Sequence, residues 1–352
     1  MPIVAETYRY VIGVDTHARE HVYVIVEAAT GALIDDRKFP TTGSGLLRAI
    51  DWITRRTGET TAGDLDQVLI SMEGTRSYGA QAANLLADAG YRVVDAPAPQ
   101  REHGASKNDH LDALAAARGA LPRDAARLAD ARTGQTSSML QVLLTARASI
   151  TTERTRKINA LTALLRTHNL GVDARRKPDR ATIRQVAAWR ARTRDTRVLA
   201  VARAEAIRLA RRILDLEAAT NERSLHDIVT DTAPSLLEMP GIGPVNAAIV
   251  LTAWSHPGRV HSDAAFAKLA GACPLQVASG NRDEHRLNRT GDRQLNKALH
   301  AIANNRMIYD PRTRAYVARR TTEGLSRPRI RRCLKRAIAG QLFRHLEQLH
   351  TT

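Results

Sequence analysis

The run Tyr8-Arg9-Tyr10-Val11-Ile12-Gly13-Val14-Asp15 reads as a β-strand rich in β-branched and aromatic residues that ends on a carboxylate. A second run, Val68-Leu69-Ile70-Ser71-Met72-Glu73, ends the same way. Two further strands are expected at 21–27, which alternates partly, and 33–39, with Ala28-Ala29-Thr30-Gly31 as the turn between them. A helix is expected near 45–54. After Glu73 come a helix near 78–89, a strand at 91–94, a loop punctuated by Pro97 and Pro99, and the helical run Asp109-His110-Leu111-Asp112-Ala113-Leu114-Ala115-Ala116-Ala117. The order is βββαβαβα: an antiparallel triple followed by parallel crossovers.

That is the order of an RNase H-like α/β domain, in which Asp15 and Glu73 fall on neighbouring strands. Asp109 and Asp112, three residues apart, share one helix face. Two strand ends and one helix can therefore gather four carboxylates. Unneutralised they repel, and a divalent cation is the usual remedy. Three have a plainer role open to them, Asp15 and Glu73 as turn residues and Asp109 as a helix N-terminal residue favoured by the dipole, whereas Asp112, in the first turns beside Asp109, is harder to dismiss. His17, just past the first strand, can contact a phosphate, adjust a metal site, or simply face solvent in a turn.

The 352 residues are enough for two or three domains, and 43% are apolar, so ordinary cores can form. Only 4% are aromatic, and Ala and Arg are abundant, which favours helices over β-sandwiches. The formal net charge of +17 points to a polyanionic partner. Its distribution is uneven. Residues 1–120 hold 12 Lys and Arg against 16 Asp and Glu, a net of −4, whereas 282–336 hold 16 against 5, a net of +11. The acidic part suits a cation and the basic part suits phosphates, although a charge run can also be a solvated face. Cys273 and Cys333 form neither a CxxC nor a zinc spacing. With no apolar run of membrane-spanning length and no signal pattern, a reduced, cytoplasmic, nucleoid-associated setting without membrane contact is expected.

Residues 135–168 carry leucines and isoleucines at helical spacing, Gly171 and Pro178 interrupt, and a second long helical stretch is expected over 180–230. Together they predict an antiparallel helical hairpin or coiled-coil arm that dimerises or spaces two domains. The expected domains are therefore 1–125, the arm 126–232, and a mainly helical 233–352. The last opens on Met239-Pro240-Gly241-Ile242-Gly243-Pro244, a helix–turn–helix in which Gly241 and Gly243 let the backbone approach a phosphate at the next helix N-terminus, a helix-hairpin-helix pattern. The same residues also fit a tight turn with no ligand. Further on, Ser279-Gly280 sits among Arg282, Arg286, Arg289 and Arg293, with Lys297 one turn later. Such arginines can bind a phosphate and stabilise charge developing on it. A Ser-Gly pair is, on its own, as compatible with a turn. Tyr309 and Tyr316 lie in an Arg-rich helical region and read as packing or DNA-contact residues, and Cys273 as a core residue.

The combination of Gly13-Val14-Asp15-Thr16-His17, Glu73-Gly74-Thr75-Arg76-Ser77-Tyr78-Gly79, Lys107-Asn108-Asp109-His110-Leu111-Asp112-Ala113, Pro240-Gly241-Ile242-Gly243, Ala270-Gly271 with Pro274, Ser279-Gly280 and Arg289-Thr290-Gly291-Asp292-Arg293 resembles the DEDD insertion-sequence transposases of the IS110 family. Ala18 departs from the Lys that many relatives carry. The resemblance implies a RuvC-like domain joined to a transposase domain with a nucleophilic serine. By motif match Asp15, Glu73, Asp109 and Asp112 are the metal set, for Mg²⁺ or Mn²⁺, and Ser279 is the nucleophile. It further implies a serine recombinase guided by a bridge RNA, acting on donor and target DNA as dimers that pair into tetramers, with carboxylates and serine contributed by different protomers. Two other functions fit the residues: a hydrolytic RNase H-like nuclease or Holliday-junction resolvase, and a non-catalytic nucleic-acid-binding scaffold.

Overall fold

The computed structural model describes the chain except residues 1, 59–64, 98–107, 220, 280–281, 289–290 and 350–352, and the side chains of 274–287. Five strands form a mixed sheet: β1 (Tyr10–Thr16), β2 (Glu20–Glu27), β3 (Leu33–Pro40), β4 (Val68–Met72) and β5 (Arg92–Asp95), in spatial order β3-β2-β1-β4-β5. β1 pairs antiparallel with β2 and parallel with β4, and β5 extends β4 in parallel. The expected element order over this region is thus the observed one. The first run starts later than its composition suggests, because Val4–Thr7 forms a short helix, α1, and Tyr8 is buried beside it.

Both faces of the sheet are covered, which explains why β1 and β4 are apolar on both sides. Ile12, Val14, Ile70 and Met72 pack with α2 (Gly43–Thr57) and α3 (Ala80–Asp88). Val11, Val22, Val24 and Leu69 pack against Ala113, Ala117 and Ala120 of α4 (Asp109–Ala120). α2 is capped by Thr42, whose Oγ1 accepts the Gly45 N–H at 3.2 Å, and it stops at Gly58 with φ +71°. β3, one of the sheet's two outer strands, carries Asp35, Asp36, Arg37 and Lys38, charges that discourage pairing with another chain.

The chain divides into two units, residues 1–138 with 250–352, and residues 139–249. In the second, the C-terminal part of α5 (Gln135–Thr167) packs with α6 (Arg180–Ala187) and α7 (Arg197–Ala218) around Ile158, Leu161, Ile183, Val186, Ala206, Ala210 and Ile213. Ion pairs Arg154–Glu217 and Glu153–Arg212 join α5 to α7, and Arg147, further back on α5, pairs with Glu222 just beyond the end of α7.

The second long helix expected over 180–230 is a correction: it is three helices, α6, α7 and α8 (Glu222–Thr232). The break after α6 has a local cause. Thr196 caps α7 by accepting the Leu199 N–H, and the buried Asp195 carboxylate takes the buried Arg203 guanidinium at 2.5 Å, folding the intervening residues back onto α7. Trp189 stacks on the same guanidinium, 5.0 Å from the ring centre. The short α9 (Ser235–Glu238) leads through the glycine turn to α10 (Pro244–Trp254).

The remainder of the first unit contains α11 (Asp263–Leu269), the hairpin β6 (Pro274–Ser279) and β7 (Arg282–Leu287), and the helices α12 (Arg293–Tyr309), α13 (Pro311–Thr322) and α14 (Arg327–Leu349). This part is mainly helical, as expected; its hairpin was not foreseen, although Gly280-Asn281 between two short runs is a hairpin signal legible in the sequence. No helix among the described residues is long and apolar enough to cross a membrane.

Candidate metal centre and its basic neighbourhood

The carboxylate site is built by the docking of α4 on the sheet. Gly13 and Ser71 are opposite each other on the parallel pair β1–β4. A Cβ at Gly13 would lie 1.9 Å from the Ala113 carbonyl oxygen and 2.8 Å from the Ala117 nitrogen, so only glycine lets the helix backbone come this close. Ser71 Oγ, fully buried, donates to the Ala116 carbonyl at 2.7 Å and fixes the helix in place. Asp15 and Glu73 are two residues beyond Gly13 and Ser71, on the same pleat face and at the same sheet edge. Two strand residues advance about 6.6 Å, and one turn of helix back from Ala113 to Asp109 is about 5.4–6 Å. The alanine face thus delivers the start of α4 to the ends of both strands.

Asp15 is buried, and its Oδ2 accepts from His17 Nε2 at 2.9 Å. The same nitrogen lies 3.4 Å from Asp109 Oδ1. Among the described residues, one oxygen of Asp15, one of Asp109 and one ring nitrogen of His17 all lie within 4.8 Å of each other. Glu73 and Asp112 do not join that set. Glu73 is just past the end of β4, its N–H donating to Val14 O at 3.0 Å and its carbonyl accepting from Thr16 Oγ1 at 3.1 Å. Asp112 is half-buried in the first turn of α4. Asn108 caps that helix by accepting the His110 N–H at 3.1 Å.

Two carboxylate oxygens with an imidazole nitrogen are a donor set that fits a divalent cation. His17, one of several readings open from sequence, reaches the carboxylates because its turn is held. Its backbone N–H donates to Nδ1 of His21 at 3.2 Å, and His21 is 1% exposed. Burial holds the His21 pKa below its ordinary value, keeping the ring neutral and Nδ1 able to accept. A Gly13→Ala variant is expected to lose about 1–3 kcal/mol of stability by overpacking. The urea midpoint checks this, and an unchanged midpoint would contradict the close approach of α4.

A buried ionic cluster in the same unit was not legible as such in the sequence. Asp292, in the Arg289-Thr290-Gly291-Asp292 motif, caps α12 by accepting the Gln294 and Leu295 N–H groups at 2.9 and 3.0 Å. Its Oδ2 also binds Arg132 at 2.8 Å and lies 3.5 Å from Arg76, three residues beyond Glu73. The Arg132 and Asp292 side chains are 7% and 8% exposed. Burial pushes the Asp292 carboxyl up, but the Leu295 N–H and the two guanidiniums outweigh it and hold its pKa below the ordinary value. Arg259, donating to Asp130 O and Ala253 O at 2.8 Å each, is pushed down to about 10 by burial and by Arg132, and stays charged at neutral pH. Thr75 Oγ1 donates to Asp95 at the end of β5. An Asp before a helix is a capping signal, but partners 160 residues away are not.

Ser279 is the last residue of β6, opposite Arg282. Its side chain, those of Arg282 and Arg286, and all of Arg289 lie outside the described residues. Arg293, Lys297 and His300 are exposed and recur along one face of α12. Gly241 adopts φ +77° in the turn before α10, and Gly243 accepts the Ala247 N–H at 3.0 Å. Tyr309 is 72% exposed, and Tyr316 stacks under Arg319. Cys273 is half-buried.

A sheet with carboxylates at its strand ends beside a basic remainder fits a nucleic-acid-processing protein, and comparison with protein families gives the class. A model described as a transposase, of the DEDD IS110 type, matches residues 12–170, and one described as "Transposase IS116/IS110/IS902 family" matches residues 233–318. The chain belongs to the IS110 family of DEDD transposases. It is thereby a DNA transposase with DNA as its partner and a divalent metal requirement. Comparison with curated proteins gives no match.

Proposed function

We propose that the chain cuts and rejoins DNA by metal-dependent phosphoryl transfer through a serine. The observation that carries this is the convergence of Asp15 and Asp109 at the shared end of β1 and β4, on a helix docked by Gly13. The sheet order β3-β2-β1-β4-β5 supports an RNase H-like domain. Asp15, Glu73, Asp109 and Asp112 are the proposed metal set, Glu73 and Asp112 completing it when substrate is bound. A bound Mg²⁺ or Mn²⁺ would neutralise charge on the scissile phosphate and on the leaving oxygen.

Ser279 Oγ is the proposed nucleophile. Its attack on phosphorus forms one P–O bond as another breaks, and the departing strand leaves as a hydroxyl. The phosphoserine keeps the bond energy, so a hydroxyl from a second strand can reverse the step and exchange partners. Placement of Ser279 at the end of a strand flanked by Arg282 suits a nucleophile held beside phosphate-binding arginines. Arg286, Arg289, Arg293 and Lys297 extend that basic surface, and Gly241 and Gly243 are proposed to admit a DNA phosphate to the start of α10. The composite site, with serine and carboxylates from different protomers, and the dimer and tetramer states come from the family resemblance.

Guidance by a bridge RNA belongs to the same proposal. Exposed Arg312, Arg314, Arg319, Arg327, Arg329 and Arg332 on α13 and α14 can grip RNA backbone without reading bases. With few aromatics to stack bases, sequence choice is delegated to base pairing. The test is cleavage of end-labelled DNA with the RNA supplied. Cleavage that requires Mg²⁺ or Mn²⁺ and stops in EDTA is expected. Cleavage unaffected by EDTA would overturn the metal centre, and no cleavage in any metal would favour a binding scaffold.

A further inference from the structure

We infer that His17 is a direct ligand of the divalent cation, making the centre a mixed nitrogen–oxygen site that favours Mn²⁺ over Mg²⁺. The inference rests on the proposed carboxylate metal centre and adds a residue outside the four-carboxylate set. Neighbouring ligands of an ion with bonds of about 2.1 Å are about 3 Å apart in an octahedral site. His17 Nε2 stands 2.9 Å from Asp15 Oδ2 and 3.4 Å from Asp109 Oδ1, spacings that suit two edges of such a polyhedron.

The ring is also held there by construction. β1 ends at Thr16 and β2 begins at Glu20, so His17 opens a tight hairpin. The buried His21 ring takes the His17 N–H, and Thr41 closes the far side of the turn, its Oγ1 donating to Ala18 O at 3.1 Å and its N–H to Arg19 O at 3.0 Å. A histidine in an unconstrained surface turn has no such anchoring. The His17 side chain is 41% exposed, which leaves its outer edge open toward a phosphate or water completing the ion's shell. To hold the ion, the ring would take its neutral tautomer with the proton on Nδ1, leaving the Nε2 lone pair free to coordinate. Imidazole is a better partner for Mn²⁺ than for Mg²⁺, which prefers oxygen.

The test is pulsed electron paramagnetic resonance of Mn²⁺ added to the full-length protein, with Mn²⁺ and Mg²⁺ affinities measured by titration. In the wild type, ¹⁴N modulation from a coordinated imidazole is expected on an Mn²⁺ signal that Asp15→Asn removes. In His17→Gln the modulation disappears while Mn²⁺ still binds, and the Mn²⁺ to Mg²⁺ affinity ratio falls by about tenfold. His17→Asn serves as the second variant should the first fail to fold. Mn²⁺ bound at Asp15 without ¹⁴N modulation, or with modulation that persists in both variants, overturns the ligand assignment and leaves the carboxylate centre standing. A wild type with no Asp15-dependent Mn²⁺ site overturns both.

Discussion

Asp15→Asn is expected to lower DNA cleavage by about 10³-fold or more while leaving the fold intact. A ligand to an ion that stabilises transition-state charge contributes several kcal/mol, and each 1.36 kcal/mol is a factor of ten in rate. The change is nearly isosteric, and the asparagine oxygen can still accept from His17 Nε2, now 2.9 Å from Asp15 Oδ2. Without metal, the substitution also removes one negative charge from a buried position beside Asp109. In EDTA the variant should therefore melt at the same temperature as the wild type or higher, and with Mn²⁺ it should lose whatever stabilisation the ion gives the wild type. Loss of cleavage together with a large drop in melting temperature in EDTA would instead assign Asp15 a structural role.

Asp292→Ala is expected to destabilise the first unit by about 3–5 kcal/mol, because removing one partner leaves the buried Arg132 guanidinium unpaired. Loss of the α12 cap adds about 1 kcal/mol. Removing both charges should be milder, so Arg132→Met combined with Asp292→Leu is expected to recover part of the loss. The pH dependence has a definite sign. A carboxyl whose folded pKa lies below its unfolded value contributes fully at neutral pH and loses that contribution as pH falls below about 4. The wild type should therefore lose stability faster than Asp292→Ala on acidification through that window. Urea midpoints at pH 7 and in the acid range measure both effects, and a single-variant cost under about 1 kcal/mol would contradict a buried, paired Asp292.

What the sequence could and could not reveal follows from how local each cause is. Short β-branched runs, the Asn108 cap and the alanine face of α4 act within a few residues, so the sheet elements and the helix bearing Asp109 and Asp112 were legible. Gly13 carried its meaning only with Ala113 in view, a contact across 100 residues. The break in the arm was missed although its cause is local: 188–196 is polar after Ala191, and Thr196 with the Asp195–Arg203 pair are capping signals that the long helical reading passed over. The hairpin bearing Ser279 was missed for a different reason: both flanking runs are six residues long and the second is mostly charged, and only the Gly280-Asn281 signal marks it. The Arg76–Asp292–Arg132 cluster joins segments up to 216 positions apart, and no periodicity encodes such a meeting.

The central proposal is that the carboxylate centre serves an attack made by Ser279 rather than by water. Its most direct measurement is the capture of a protein–DNA adduct. Full-length protein, its RNA, Mg²⁺ and end-labelled target DNA are incubated and quenched in detergent, and the labelled DNA is resolved with and without protease. A protease-sensitive adduct that forms in the wild type and vanishes in both Ser279→Ala and Asp15→Asn is the predicted result. Cleavage without any adduct, or an adduct that survives Ser279→Ala, would contradict it.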